Sequence, residues 1–165
     1  ILADKNIKIF SSIKADVMVS LCPTCVITLK DTYKKLFGVG INIIDSVTFL
    51  KNVIDVKTSL NISALYHDPC HALYGLEQKS SPRELLEKIG VSIKEVRHNC
   101  CGGAGTFSIR FPKFSNYFLE ERARAFQESK AELLITSCPE CIFQLTKIIS
   151  KNKILHIVEI FNEAL

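Results

Sequence analysis

Five cysteines fall in three short packets: Cys70 within His67-Asp-Pro-Cys-His71, Cys100-Cys101-Gly102, and Cys138-Pro-Glu-Cys141. Each packet sits beside proline or glycine, the residues that turn a chain sharply. Four thiolates would complete one tetrahedral zinc ion; five converging on one place exceed a mononuclear site and point to a metal cluster. Side chains on adjacent residues tend to diverge. Cys100 and Cys101 therefore suit separate irons of a polynuclear centre better than one small ion. Two further cysteines, Cys22 and Cys25, form a second C-P-x-C unit near the start of the chain.

The elements needed to present these thiols can be read from local pattern. Residues 17–21, 62–67, 92–96 and 133–136 are short apolar or β-branched runs of strand type, and 41–44 and 154–156 are weaker ones. Between them lie helical stretches. Residues 81–90 carry a serine at the N-cap, a proline at the first helical position and a closing glycine, and residues 113–130 form the longest helix. Strands alternating with helices predict an α/β fold, a mostly parallel sheet with flanking helices, and ligands of such sheets gather beyond the carboxyl ends of the strands. Each C-P-x-C unit directly follows a strand. Its proline suits the first helical position, which puts the first cysteine at the N-cap and the second about one turn on, where backbone N–H groups favour thiolate. Asp68 is expected to cap a turn begun by Pro69, and Gly102, Gly103 and Gly105 let backbone approach a bulky group.

Composition narrows the class. The 165 residues are 47% hydrophobic and 23% charged, enough for one substantial core. Seven cysteines is an odd number, and with a Cys-Cys pair and no basic-then-apolar leader this favours metal or redox use in a reducing compartment, the cytoplasm. No apolar run reaches the ~20 residues of a membrane span. The net charge of +4 is spread along the chain, which gives nucleic-acid binding little support.

A repeat organises the sequence. Residues 15–25 align with residues 131–141 at a constant offset, acid on acid and C-P-x-C on C-P-x-C, and the match extends backward through Phe10 on Phe126 and Lys14 on Lys130. Two pseudo-repeated units are expected, the first truncated: residues 1–55 as the C-terminal part of a first unit and 60–165 as a complete second one. Residue 1 is not methionine, so the expectation is a piece of a longer protein. Cys22 and Cys25 then belong to an incomplete second site.

The pattern C-x29-C-C-G-x35-C-P-x-C, from Cys70 to Cys141, resembles the cysteine-rich CCG domain, with Asp68-Pro-Cys-His71 and Cys100-Cys-Gly-Gly-Ala-Gly-Thr-Phe107 alike in detail. That domain occurs in the cysteine-rich subunit of heterodisulfide reductase and in the iron-sulfur subunits of glycolate oxidase, anaerobic glycerol-3-phosphate dehydrogenase and lactate-utilisation complexes. The resemblance implies that Cys70, Cys100, Cys101, Cys138 and Cys141 hold a 4Fe-4S cluster, a non-cubane one in heterodisulfide reductase. It further implies an electron-transfer role in a multisubunit oxidoreductase, between a flavoprotein dehydrogenase subunit and a quinone or disulfide acceptor. Any association with the cytoplasmic face of the membrane would be peripheral, through partners. Two alternatives remain at this level: a structural zinc domain that mediates subunit docking, and a metal-free dithiol oxidoreductase working through C-P-x-C. Among other residues, His71, His67 and His98 bracket the packets as candidates for hydrogen bonding or proton movement. His156 is expected to pack, as are Phe107, Phe111 and Phe114, whose other role would be to shield a cluster from water.

Overall fold

The computed structural model describes residues 2–55, 59–97, 100–103 and 105–164. Its elements are α1 (Leu2–Ser12), β1 (Met18–Ser20), α2 (Pro23–Ile27) running through a π-helical turn into α3 (Tyr33–Phe37), β2 (Ile43–Asp45), α4 (Ser46–Val53), β3 (Ile62–His67), α5 (Ser81–Lys88), β4 (Val91–Lys94), α6 (Phe107–Arg110), α7 (Pro112–Ser129), β5 (Leu133–Thr136), α8 (Pro139–Leu145), β6 (Ile154–His156) and α9 (Ile157–Ala164). The order helix, strand, C-P-x-C helix, strand, helix runs twice: α1, β1, α2, β2, α4 and then α7, β5, α8, β6, α9. Every strand pairing among the described residues is parallel, as the α/β pattern predicts. The strands divide into a two-stranded sheet, β1-β2, and a four-stranded sheet in the order β4-β3-β5-β6.

Alternation along the two central strands, β3 and β5, assigns the layers. Ala64, Tyr66 and Ile135 face a core built with Val47 and Leu50 of α4, Leu85 and Leu86 of α5, and Ile157, Ile160 and Phe161 of α9. Leu65 and Leu134 face the other way, onto Leu119, Ala123 and Phe126 of α7 and Leu145 of α8. Both faces are covered, which is why these strands read as continuous apolar runs. Cys101, Cys138 and Cys141 belong to the second core, at its edge by the strand ends.

Several local expectations change. Strand β4 begins at Val91, one residue early, because Gly90 (φ +78°) ends the preceding helix in the left-handed region and hands a buried valine straight to the sheet. Helix α5 starts at Ser81, with Ser80 at the cap position and no side-chain cap bond. Phe111 and Phe114 do not pack inside: they are 47% and 65% exposed, because the buried stripe of α7 runs through Ser115, Leu119, Arg122, Ala123 and Phe126 instead. His98 lies outside the described residues, as do Asn99 and Ala104.

Candidate metal centre

Both C-P-x-C units are built alike. Cys22 and Cys138 are extended residues at helix N-caps, each follows a strand end, and Pro23 and Pro139 open the helices, where a missing N–H costs nothing. The helices are only 5 and 7 residues long, so what reaches sulfur is the first-turn N–H groups, those of Glu140 and Cys141 for Cys138. Cys70 begins a π-helical turn over His71–Gly75. Asp68 does not cap that turn. Its two carboxylate oxygens accept from Arg83 Nη1 and Nη2, both at 2.8 Å, a fork of donors that a backbone N–H cannot match.

The third packet turns on Gly102. Its φ is +77°, and a Cβ there would stand 2.6 Å from the Ser115 carbonyl oxygen. Ser115 Oγ donates to the Gly102 carbonyl at 2.8 Å and accepts from Gln144 Nε2 at 2.9 Å, so α7 and α8 clamp the turn. Gly102→Ala should cost about 2 kcal/mol or more, from left-handed strain plus displacement of α7 backbone. Urea unfolding of the metal-free protein measures this; a loss under half that size would mean the turn relaxes freely.

One cleft of about 400 Å³ is lined by Cys70, Cys100, Cys101, Cys138 and Cys141, together with Cys22 and Cys25. Cys101 and Cys141 Sγ are 3.4 Å apart. Cys138 and Cys141 are buried, Cys22 and Cys70 are half-buried and Cys25 is exposed at the rim. The two C-P-x-C units thus face one another across the cleft, an arrangement that no local pattern in the chain discloses. Two histidines tie the first of these units to the rest of the cleft wall. His71 Nδ1 lies 3.1 Å from Thr24 Oγ1 and 3.8 Å from Cys70 Sγ. His156 is buried at the end of β6: its Nδ1 accepts from the Val158 N–H at 3.2 Å, which leaves Nε2 to donate to the Leu21 carbonyl, 3.0 Å away and next to Cys22. His67 is 1% exposed, and one of its ring nitrogens lies with Cys101 and Cys141 Sγ in a group whose ligand atoms are all within 4.8 Å of one another. Phe107 is half-buried and does not line the cleft.

The sulfurs share few protons. Cys100 is pushed down to about 2 by hydrogen bonds from Cys101 and then Cys70, helped by the Gly102 N–H at 3.3 Å. Cys138 is pushed down to about 2 by Cys141 and then Cys22. The donors move the other way: Cys101 rises to about 12 against Cys100, Cys141 rises against Cys101, Cys70 against Cys100 and Cys22 against Cys138. Crowded sulfurs therefore keep thiolate at Cys100 and Cys138 while their neighbours hold the protons, which metal binding would release. The donor chemistry fits an iron-sulfur cluster. The cleft gathers seven soft sulfur donors, and the Gly102 and Gly103 N–H groups point at the sulfurs of Cys100 and Cys101, 3.3 and 3.4 Å away.

The sequence model of the cysteine-rich CCG domain matches residues 1–30 and 64–146. The chain is 30% identical over 159 residues to a subunit of the fumarate reductase (CoM/CoB) of Methanothermobacter marburgensis, covering 90% of this chain and 32% of that protein. It is 33% identical over 154 residues to an uncharacterized iron-sulfur protein of Methanococcus maripaludis, covering 91% and 31%. With lactate utilization protein A of Halalkalibacterium halodurans the identity is 35% over 124 residues, covering 69% and 51%. The chain therefore spans about a third of the two methanogen proteins and about half of the third.

Proposed function

The chain belongs to the cysteine-rich CCG domain family, and on that premise we propose that it is an iron-sulfur-binding part of a multisubunit oxidoreductase. Cys70, Cys100, Cys101, Cys138 and Cys141 would hold a four-iron cluster, which when bound supplies a one-electron relay between a flavoprotein subunit and a quinone or disulfide acceptor. Cys22 and Cys25 line the same cleft, and a second cluster held through them would need further ligands. The observation that carries this reading is the meeting of all five sulfurs on one cleft at the strand ends. The names of the relatives support it: one is a reductase subunit and another an iron-sulfur protein. Among the described residues no helix is long and apolar enough to cross a membrane, in keeping with contact through partner subunits.

The chain's own contribution is electrostatic and steric. First-turn and glycine N–H groups stabilise thiolate sulfur, and burial of Cys101, Cys138 and Cys141 keeps water from that side. The exposed rim at Cys25 leaves the opposite side open to a partner or acceptor. A single zinc ion is the second reading, favoured by the grouping of His67, Cys101 and Cys141. Anaerobic loading with iron and sulfide separates the two. Broad absorption at roughly 400 nm with about four irons and four sulfides per chain is expected; a colourless protein with one tightly held zinc would overturn the cluster.

A further inference from the structure

Arg122 is a buried charge without an evident reason in the fold. It lies on α7 with 1% of its surface exposed, in the buried stripe that carries Ser115 and Leu119. Ser115 clamps the Gly102 turn, and Leu119 packs in one core with Cys101. Arg122 Nη2 donates to the Arg97 carbonyl at 2.8 Å, just upstream of the Cys100-Cys101 packet, and Nε has no partner among the described residues. No carboxylate among the described residues lies within ion-pair distance of it. Asp68, the nearest candidate by electrostatic influence, is already taken by the fork of Arg83.

Arginine is almost never fully buried unless paired, because stripping a cation of water costs several kcal/mol. After Asp68, the groups that favour the charged guanidinium are those of the Cys100-Cys101 packet, whose thiolate sits at Cys100. Glu121 pairs with Arg124 on the surface. Among the described residues, the thiolate packet that follows Arg97 is the anionic group left to face this charge.

We propose that Arg122 is the fixed counter-cation of that site, a positioning residue for charge that favours the electron-rich state of a group held by Cys100 and Cys101. This rests on the cluster-binding reading above. A cluster ligated by thiolates is anionic and gains one further negative charge on one-electron reduction. A buried cation nearby, poorly screened by salt, stabilises the reduced form more than the oxidised one. Lysine at this position keeps the charge, whereas methionine keeps much of the volume and removes it.

The test compares wild type, Arg122→Met and Arg122→Lys after anaerobic loading, by mediated electrochemical titration with iron and sulfide counted in each sample. Arg122→Met should load like wild type and shift the reduction equilibrium at least tenfold toward the oxidised form, 59 mV for a one-electron couple. Arg122→Lys, whose ammonium the bound anion keeps protonated, should stay within about threefold. An unchanged potential in Arg122→Met, or an equal shift in both variants, overturns the inference. The unloaded proteins give a second arm. Arg122 lacks full compensation without the bound anion, so Arg122→Met should unfold in urea at the same concentration as wild type or higher. Failure of that variant to fold would show that the guanidinium is satisfied by protein alone, and would overturn the inference too. If wild type takes up no iron and sulfide, the cluster reading fails by itself, and the urea comparison still decides whether Arg122 is an uncompensated charge.

Discussion

Cys141→Ser should strip the protein of iron and sulfide while leaving it folded. Its sulfur sits 3.4 Å from that of Cys101 with only 5% of the residue exposed, at the buried floor of the cleft, where water cannot readily take its place as a ligand. Serine fills nearly the same space but offers a hard hydroxyl, a poor substitute for thiolate at iron, and bound iron should fall by roughly tenfold or more. Burying that hydroxyl should cost only about 1–2 kcal/mol, so urea unfolding distinguishes lost ligation from lost fold. Cys25→Ser is the informative contrast. Its thiol lies exposed on the rim, and if five sulfurs suffice, iron and sulfide should stay at the wild-type level. Equal loss in both variants would mean that the two C-P-x-C units act as one seven-sulfur centre.

How much of this was readable beforehand depends on how far each signal reaches along the chain. Strands β3, β5 and β6 fall where the apolar runs place them, because both faces of the sheet are covered and the pattern is continuous. Pro23 and Pro139 open their helices as expected, since the rule concerns a proline and its immediate neighbours. Asp68 went to Arg83 instead of a cap, 15 residues away in sequence. Aspartate before proline looks local until a fork-shaped donor competes for it. Arg122 was invisible for a related reason: a charged residue in an amphipathic helix reads as solvent-facing, and only the packing of α7 under the Gly102 turn shows otherwise. The meeting of Cys22 with Cys138 depends on how two repeated units dock, through contacts such as His156 with Leu21 that span 135 positions. A repeat reveals that two units are alike, not that their ends face each other.

Arg83→Met should destabilise the fold as strongly as truncation of a core side chain. The guanidinium is the hub beside the Cys70 turn: it holds both oxygens of Asp68 at 2.8 Å, Glu95 Oε1 at 2.6 Å through Nε, and the Lys79 carbonyl at 2.7 Å. It also lies over the Tyr66 ring at 5.4 Å. Asp68 and Arg83 side chains are only 10% and 19% exposed, so this pair escapes most of the screening that makes surface ion pairs weak. Asp68 and Glu95 raise the guanidinium pKa further, so the pair persists at any pH where the carboxylates are ionised. Removing the cation strands the Asp68 carboxylate two residues before Cys70, and breaking a buried pair from one side costs about 3–5 kcal/mol. Asp68→Asn alone should cost less, because it leaves a neutral amide in place of the carboxylate. The double variant should recover part of the Arg83→Met loss, since no buried charge is then left unpaired. Urea unfolding of the four proteins closes this cycle. A loss below about 1 kcal/mol for Arg83→Met, or strict additivity, would show that the pair is solvated like any surface bridge and does not set the Cys70 turn.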